Sequence, residues 1–426
     1  MLSSILQLLF NAVDIIVVGQ FSGSTALAAV GATTSLIMLI TNLFIGISIG
    51  ANVLAAQFFA SGKKDLMQDT VHSAILTGII SGIIMVFVGI FLARPALEAM
   101  DTPSDVIDQA VLYMRIYFCG MPFFMTYNYG AAILRAIGDT KRPLYFLIMA
   151  GVLNACLNVI LVKFFSMGVA GVAIATVISQ ILSCSLVLYC LVKSDGIYRL
   201  DFHKLKIHPH IVKRMLLIGL PAGIQSMLIS FSNVIIQSSI NSFGYLAMAG
   251  NTAAANIDGF IYAALNAITQ TCLTFTSQNF GAGEYKRVDS VLVQCVFIDL
   301  VIGIIMGVGC YLLGPQLLSI YNSDPEVISY GMIRIATIGL PYAICGIMDL
   351  IPGSMRGMGR SAVPMFITLS GVCLFRIFWV YFVFAEHRTM EMLYLSYPVS
   401  WILTIVLQLI CFYFVRKKMY HRVQTT

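Results

Sequence analysis

The sequence predicts an all-α polytopic membrane protein of about twelve transmembrane helices in two homologous six-helix lobes. Three observations support this. The 426 residues are 59% hydrophobic and only 10% charged, with a mean hydropathy of +0.91; soluble domains carry about 25% charge. Apolar runs such as "AILTGIISGIIMVFVGIFLA" recur, and about 20 such residues cross a bilayer as a helix. A closed barrel would need alternating polar residues, which these runs lack. Finally, Lys and Arg crowd into every second connection, and short motifs return at nearly one offset.

The spans follow in order. The first begins near Leu2 and carries Asp14 inside "LFNAVDIIVVGQ". The second begins near Ala26 and ends at "QFFASGKKD", with Lys63 and Lys64. The third starts near Val71 and ends in the acidic connection "LEAMDTPSDVID". The fourth starts near Val106 and reaches "LRAIGDTKRP", with Arg135, Lys141 and Arg142. The fifth, from Pro143, holds "GVLNACLNVILV", and the sixth, from Gly168, holds "GVAGVAIATVISQ". The basic segment "KSDGIYRLDFHKLKIHPHIVKR" then joins the lobes. The remaining spans begin near Val212, Leu246, Ser290, Glu326, Ala362 and Met392. Lys286 and Arg287, Arg356 and Arg360, and a tail with Arg416, Lys417, Lys418 and Arg422 fall in one set of their connections. The alternate connections carry acids, as in "YNSDPEV". The basic set belongs in the cytoplasm by the positive-inside rule, together with both chain ends. The expected division is an amino-terminal lobe at 1–192, a cytoplasmic linker at 193–214, and a carboxy-terminal lobe with a short cytoplasmic tail at 215–426.

Internal matches define the two halves. "QFFASGKKD" pairs with "QNFGAGEYK" and "LRAIGDTKRP" with "MRGMGRSAVP", both at an offset of 221 (Gln57 to Gln278, Arg135 to Arg356). "RIYFCGMPF" pairs with "RIATIGLPY" at 219 (Arg115 to Arg334). Such periodicity marks a duplicated unit. Six helices per half is an even number, so both halves enter the membrane in one orientation, and substrate is expected between them near the midplane. Met1 aligns with Ala222, so the first half has no counterpart of "KRMLLIGLP" and its first helix is expected to begin short.

Several function classes lose support. Ten scattered Cys without a CxxC pair read as small core residues rather than disulfides or metal ligands. The net charge of +6 follows the membrane topology and not a soluble face, so no nucleic-acid partner is expected. "GISIG" (Gly46 to Gly50) fits GxSxG, but no strand precedes it; it reads instead as a small-xxx-small packing face. No phosphate loop is present to power transport with nucleotide, and no enzyme chemistry is indicated. The six His fall in connections or at helix ends. Met1 is not followed by a basic segment, so no cleavable signal peptide is expected.

Buried polar residues are the candidates for function. Asp14, Asp258, Asp299 and Asp349 fall well inside spans. A carboxylate at the middle of a membrane helix costs roughly 2.5–3.5 kcal/mol on insertion scales, so it faces a cavity, a partner or an ion path. Arg356 lies two turns from Asp349 and is an available partner for it; Arg115, Arg334 and Arg376 are others, and the repeat equivalence of Arg115 and Arg334 favours a shared architectural role. Asp299 is nearer a helix start and reads as structural. Asn154 and Asn158 are four apart and share a helix face. They read either as helix-pairing amides or, with Thr176 and the charge of Asp14, as oxygens for a hard cation.

"FNAVDIIVVGQ", "NACLN", "GVAGVAIATVISQ", "LRAIGDTKRP" and "MRGMGRSAVP" together resemble the multidrug and toxic compound extrusion (MATE) family over essentially the whole chain. The resemblance implies two six-helix lobes arranged as a V, in a multi-pass protein of a bacterial plasma membrane. It implies alternating-access export of cationic, amphipathic compounds in exchange for H⁺ or Na⁺, with no cofactor. Asp14 matches the family's first-helix coupling acid, and Asn154 and Thr176 match polar ion-site positions. Asn158 stands where relatives often carry Asp, which removes one charge and favours H⁺ as sufficient, with Na⁺ an auxiliary ion held at Asp14, Asn154, Asn158 and Thr176. Asp258 and Asp349 are the candidates for the substrate cavity. Membrane lipids and small cationic solutes are the expected partners, and the working unit a monomer. A lipid-linked glycan flippase of the same broader superfamily is the alternative; four intramembrane acids suit cations better than anionic head groups. The loop signature of the major facilitator superfamily is absent from "QFFASGKKDLMQD".

The charge pattern predicts that Gly62, Gly138 and Gly283 face the cytoplasm while Ser104 and Asn322 face outside. Single-Cys labelling in intact cells, on a background without native Cys, tests it. Labelling of position 283 by an impermeant reagent from outside would overturn the twelve-span arrangement.

Overall fold

The computed structural model describes residues 17–18, 21, 23–100, 102, 104–322 and 324–424, and the described residues contain helices and no strands. Helices are the expected outcome in hydrocarbon, where every backbone N–H and C=O needs a partner within its own segment. The first half contains α1 (Gly23–Ala60), α2 (Lys64–Glu98), α3 (Ser104–Cys119), α4 (Met121–Ala136), α5 (Lys141–Phe164) and α6 (Gly168–Val192). The second contains α7 (Pro209–Asn241), α8 (Tyr245–Gly281), α9 (Tyr285–Leu312), the short α10 (Gly314–Ser319), α11 (Pro325–Gly339), α12 (Tyr342–Gly357), α13 (Ala362–Glu386) and α14 (Met390–Gln424). Eight or nine of these runs are long and apolar enough to span a membrane, depending on whether α11 and α12, bent by 42°, are taken together. The described helices start within seven residues of the predicted spans, the third at Lys64 rather than Val71; the start of the first span and Asp14 lie outside the described residues.

The repeat is visible in backbone geometry. Gly62, Gly138, Gly283 and Gly359 all have positive φ, at 67°, 90°, 80° and 80°. Each ends a helix, and at each the following amide reaches back to the carbonyl five residues earlier: Lys63 to Phe58 (3.1 Å), Asp139 to Leu134 (2.9 Å), Glu284 to Asn279 (2.8 Å) and Arg360 to Met355 (2.9 Å). This is the glycine helix stop that satisfies otherwise orphaned carbonyls. A residue with a Cβ resists this left-handed conformation. The duplicated motifs "ASGKKD" and "GAGEYK" therefore encode the same turn twice. A second shared feature is a break before Pro: α3 and α4 part at Gly120, just before Pro122, and α11 and α12 part at Gly339 and Pro341. Proline lacks the N–H that would continue the helix ladder.

The chain divides into two compact units, residues 2–223 and 224–426. In the first, Met85, Met114, Phe118, Met121 and Met125 are fully buried. The segment after α6 docks on α2 of the same unit: the amides of Asp201 and His208 donate to His72 Nε2 (3.2 Å) and Ser73 Oγ (3.0 Å). Helix α7 begins at Pro209, inside the stretch read as linker, because proline suits a first helical turn. In the second unit, buried clusters gather around Tyr394 and Trp401, and around Leu265, Cys272 and Leu350. Large apolar side chains such as Phe91, Phe164, Phe297 and Tyr381 remain exposed, as expected where the surrounding solvent is lipid.

"GISIG" does pack helices. A Cβ at Gly46 would stand 2.3 Å from the backbone of Gly223, one at Gly50 would stand 2.2 Å from the Met215 carbonyl oxygen, and one at Gly219 would stand 2.4 Å from Ile47 Cα. Helices α1 and the first part of α7 thus touch backbone to backbone. Gly46→Val is expected to lower the melting temperature in detergent, at a cost of roughly 1–3 kcal/mol or more from overpacking. Gly309→Ala, whose Cβ would meet nothing, should not destabilise. Equal melting of Gly46→Val and wild type would contradict the close approach.

Candidate functional site

In the first unit the structure joins three of the four predicted ion-site residues. Asn154 and Asn158 lie one turn apart on α5 and are both buried. Asn158 Nδ2 donates to Asn154 Oδ1 at 3.1 Å, and Asn154 Nδ2 donates to Thr176 Oγ1 on α6 at 3.4 Å. The Thr176 hydroxyl donates in turn to the Val172 carbonyl at 3.0 Å. The result is a hydrogen-bonded line of uncharged polar groups between α5 and α6. Directly after Asn158 the helix widens to π geometry over Val159–Phe164, a distortion frequent at functional sites. Asp14, the proposed charge of this set, lies outside the described residues.

In the second unit, Asp258 on α8 is buried and accepts from Arg334 Nε on α11 at 2.9 Å. A Nη1 of Arg334 donates to Asn251 Oδ1 at 2.8 Å, the same oxygen accepts from the Tyr394 hydroxyl at 2.9 Å, and Asn251 Nδ2 donates to Gln237 Oε1 at 3.0 Å. The Arg334 guanidinium also lies 5.7 Å from the centre of the Tyr394 ring. Composition alone did not single out Asn251, Tyr394 or Gln237. The signal available for Asn251 was its spacing of seven residues, two turns, from Asp258. The shared role expected for Arg115 and Arg334 is not found: Arg115 is exposed, and the residue 221 positions before Asp258 is Ile37.

Asp349 and Asp299 occupy neighbouring turns. Asp349 on α12 is half-buried. Arg356, read as its available partner, instead donates to Gln225 Oε1 at 2.7 Å, and no ion pair to Asp349 within 4 Å is found among the described residues. Asp299 lies midway along α9, not at its start, and is fully buried. Neither of its carboxylate oxygens has a hydrogen bond among the described residues. A Cβ at Gly346 on α12 would come within 2.2 Å of it, so glycine there makes room for the carboxylate. Asp349, three residues further along α12, is within electrostatic reach of Asp299. Among the described residues, no group of three His, Cys, Asp or Glu could hold a metal ion.

The MatE family profile matches residues 1–160 and again 221–382. The chain belongs to the MatE family. These are the MATE multidrug efflux transporters, and the second match begins 220 residues after the first, beside the offset of the internal repeat. The chain is 27% identical over 430 residues to a Bacillus subtilis protein named "Probable multidrug resistance protein YoeA", covering 98% of this chain and 92% of the relative. It is 22% identical over 370 residues to the "FAD transporter" of Shewanella oneidensis, covering 86% and 81%. The structure resembles a mutant of the Vibrio cholerae MATE transporter VcmN, with a TM-score of 0.90 at 20% identity over 98% of this chain and 94% of that one. The MatE chain is thus a multi-pass helical membrane transporter.

The ion pair gives a stability test. Asp258→Ala would strand Arg334 in the interior of the second unit, and breaking a buried pair on one side costs about 3–5 kcal/mol. The expected result is a marked fall in melting temperature that Asp258→Ala combined with Arg334→Met largely reverses. A single variant that melts with the wild type would show that the pair contributes nothing to stability.

Proposed function

We propose that this MatE chain exports cationic, amphipathic compounds across the plasma membrane in exchange for entering H⁺ or Na⁺. Its two termini lie in the cytoplasm, and the monomer works by alternating access. The observation that carries the reading is the line Asn158–Asn154–Thr176, its two amides buried, in a member of an efflux family. Neutral oxygens of this kind suit a hard cation or a hydrated proton site better than an apolar solute. Asp14 supplies the charge. A carboxyl group can hold a proton, a metal ion or a cationic substrate, and each occupant excludes the others. An ion that binds one conformational state more tightly than the drug-bound state shifts the population and so couples the two fluxes. Asp258 is held by Arg334, which leaves Asp349 as the acid more available to a cationic substrate in the second unit.

Asn158 bears on the choice of ion. An amide keeps a ligating oxygen but contributes no charge, so the site holds one carboxylate and attracts Na⁺ weakly. A proton needs only that carboxylate. The test is dye efflux from proteoliposomes with Na⁺ and pH gradients imposed separately. An inward proton gradient in nominally Na⁺-free buffer is expected to drive efflux. Asp14→Asn should abolish coupled transport while leaving membrane insertion intact, and Asn158→Asp should make efflux respond to Na⁺. Concentration of a cationic dye against its gradient by Asp14→Asn would remove Asp14 from the coupling role. Efflux that requires Na⁺ at constant pH would reverse the choice of ion.

A further inference from the structure

The second unit buries a cation that has no acid. Arg376 on α13 is 3% exposed, and among the described residues no carboxylate lies within 4 Å of it. Its partners are neutral. Nε donates to Ser400 Oγ at 3.1 Å, Nη1 donates to Asn233 Oδ1 at 3.2 Å, and the guanidinium lies 4.0 Å from the centre of the Tyr397 ring. Burying an uncompensated charge costs several kcal/mol. The three contacts from α7 and α14 hold the guanidinium in one orientation yet leave its charge unneutralised.

One nitrogen of the fork is left over. Nη2 makes no hydrogen bond among the described residues. Asn233 is exposed. Arg376 occupies a single α turn, Phe375–Phe378, between two π-helical stretches, Leu369–Leu374 and Trp379–Val383. It lies fourteen residues from Ala362 and ten from Glu386, about 21 Å and 15 Å along the helix. That is close to the middle of a hydrocarbon layer about 30 Å thick, far from the depth of lipid phosphates. At the 221-residue offset, Arg376 and Tyr397 correspond to Ala155 and Thr176. The second half therefore places a fixed cation beside the position where the first half gathers oxygens.

We propose that Arg376, oriented by Asn233, Ser400 and Tyr397, is a subsite for the carboxylate or phosphate of an amphiphilic solute. A guanidinium presents forked donors that match those groups, and the neighbouring pair Phe375 and Trp379, 5.7 Å apart, offers apolar contact for the rest of the molecule. The subsite extends the transported class beyond simple cations.

The test uses the purified full-length chain and two probes, rhodamine B, which has a free carboxylate, and its ethyl ester, which does not. Fluorescence anisotropy reads both affinities. The wild type is expected to bind the acid at least about threefold more tightly than the ester, as a charge-assisted contact requires. Arg376→Gln should weaken the acid about tenfold, or ~1.4 kcal/mol, with the ester unchanged. Asn233→Asp, which neutralises the guanidinium internally and leaves the packing in place, should remove the preference as well; it serves if Arg376→Gln does not fold. Absence of the wild-type preference, or equal loss of both probes in Asn233→Asp, would overturn the proposal. So would a nanodisc experiment in which phosphatidylglycerol, substituted for phosphatidylcholine, displaces the acid probe, because the occupant would then be a lipid head group. Binding and export of the ester test the cation-export reading separately.

Discussion

Hydrocarbon cannot hydrogen-bond, and that constraint orders the rest of this protein. Each span must close its own backbone ladder, and each polar side chain within a span must find a partner or have a use for being without one. Most find a partner one turn away: Thr41, Thr70, Thr126, Ser179 and Thr404 each return a hydroxyl hydrogen to a carbonyl of their own helix. Among the described residues that do not are the amide line of the first unit, the Asp258–Arg334 pair with its network, Arg356 with Gln225, the Asp299–Asp349 neighbourhood and Arg376.

Duplication explains where these sites fall, and divergence explains what they hold. The glycine helix stops, which depend on backbone geometry alone, agree in both halves to the residue. The side chains that face polar partners do not. Asp258 corresponds to Ile37, and Asn158 corresponds to Trp379. The scaffold is held in common because four chain reversals demand the same left-handed glycine. Charge is free to differ where a partner is available within the same lobe. Arg334 is neutralised by an acid of its own unit, and the Asn154 line is closed by amides and a hydroxyl of its own.

The fold was legible in the sequence because hydropathy and Lys/Arg alternation are long-range, redundant signals. A shift of a few residues in any one span does not disturb them, and the helices from Gly23 onward start close to where the pattern places them. The glycine face of "GISIG" was legible too, since only small residues let two backbones touch. Pairings were not. Arg356 lies two turns from Asp349 in sequence, yet its short bond goes to Gln225 across the unit. Spacing along one helix fixes a shared face, but the partner comes from whichever helix crosses there. For the same reason Asp299 read as a helix-start residue, when Gly346 on another helix makes the room that buries it.

The two units thus meet the same constraint with different charge. In the first, two amides and a hydroxyl bond one another and carry no formal charge. In the second, at the matching level of the repeat, a guanidinium is held, its acceptors being Ser400 and Asn233 and its platform the Tyr397 ring. A transporter whose halves were electrostatically identical would offer the same affinity twice. On the proposed reading, one half takes an incoming cation and the other carries a fixed one, so different ligands would prefer different lobes. A ligand can shift a conformational equilibrium only by its difference in affinity between states. An asymmetry written into side chains, on a backbone that duplication keeps alike, is a direct physical source of such a difference.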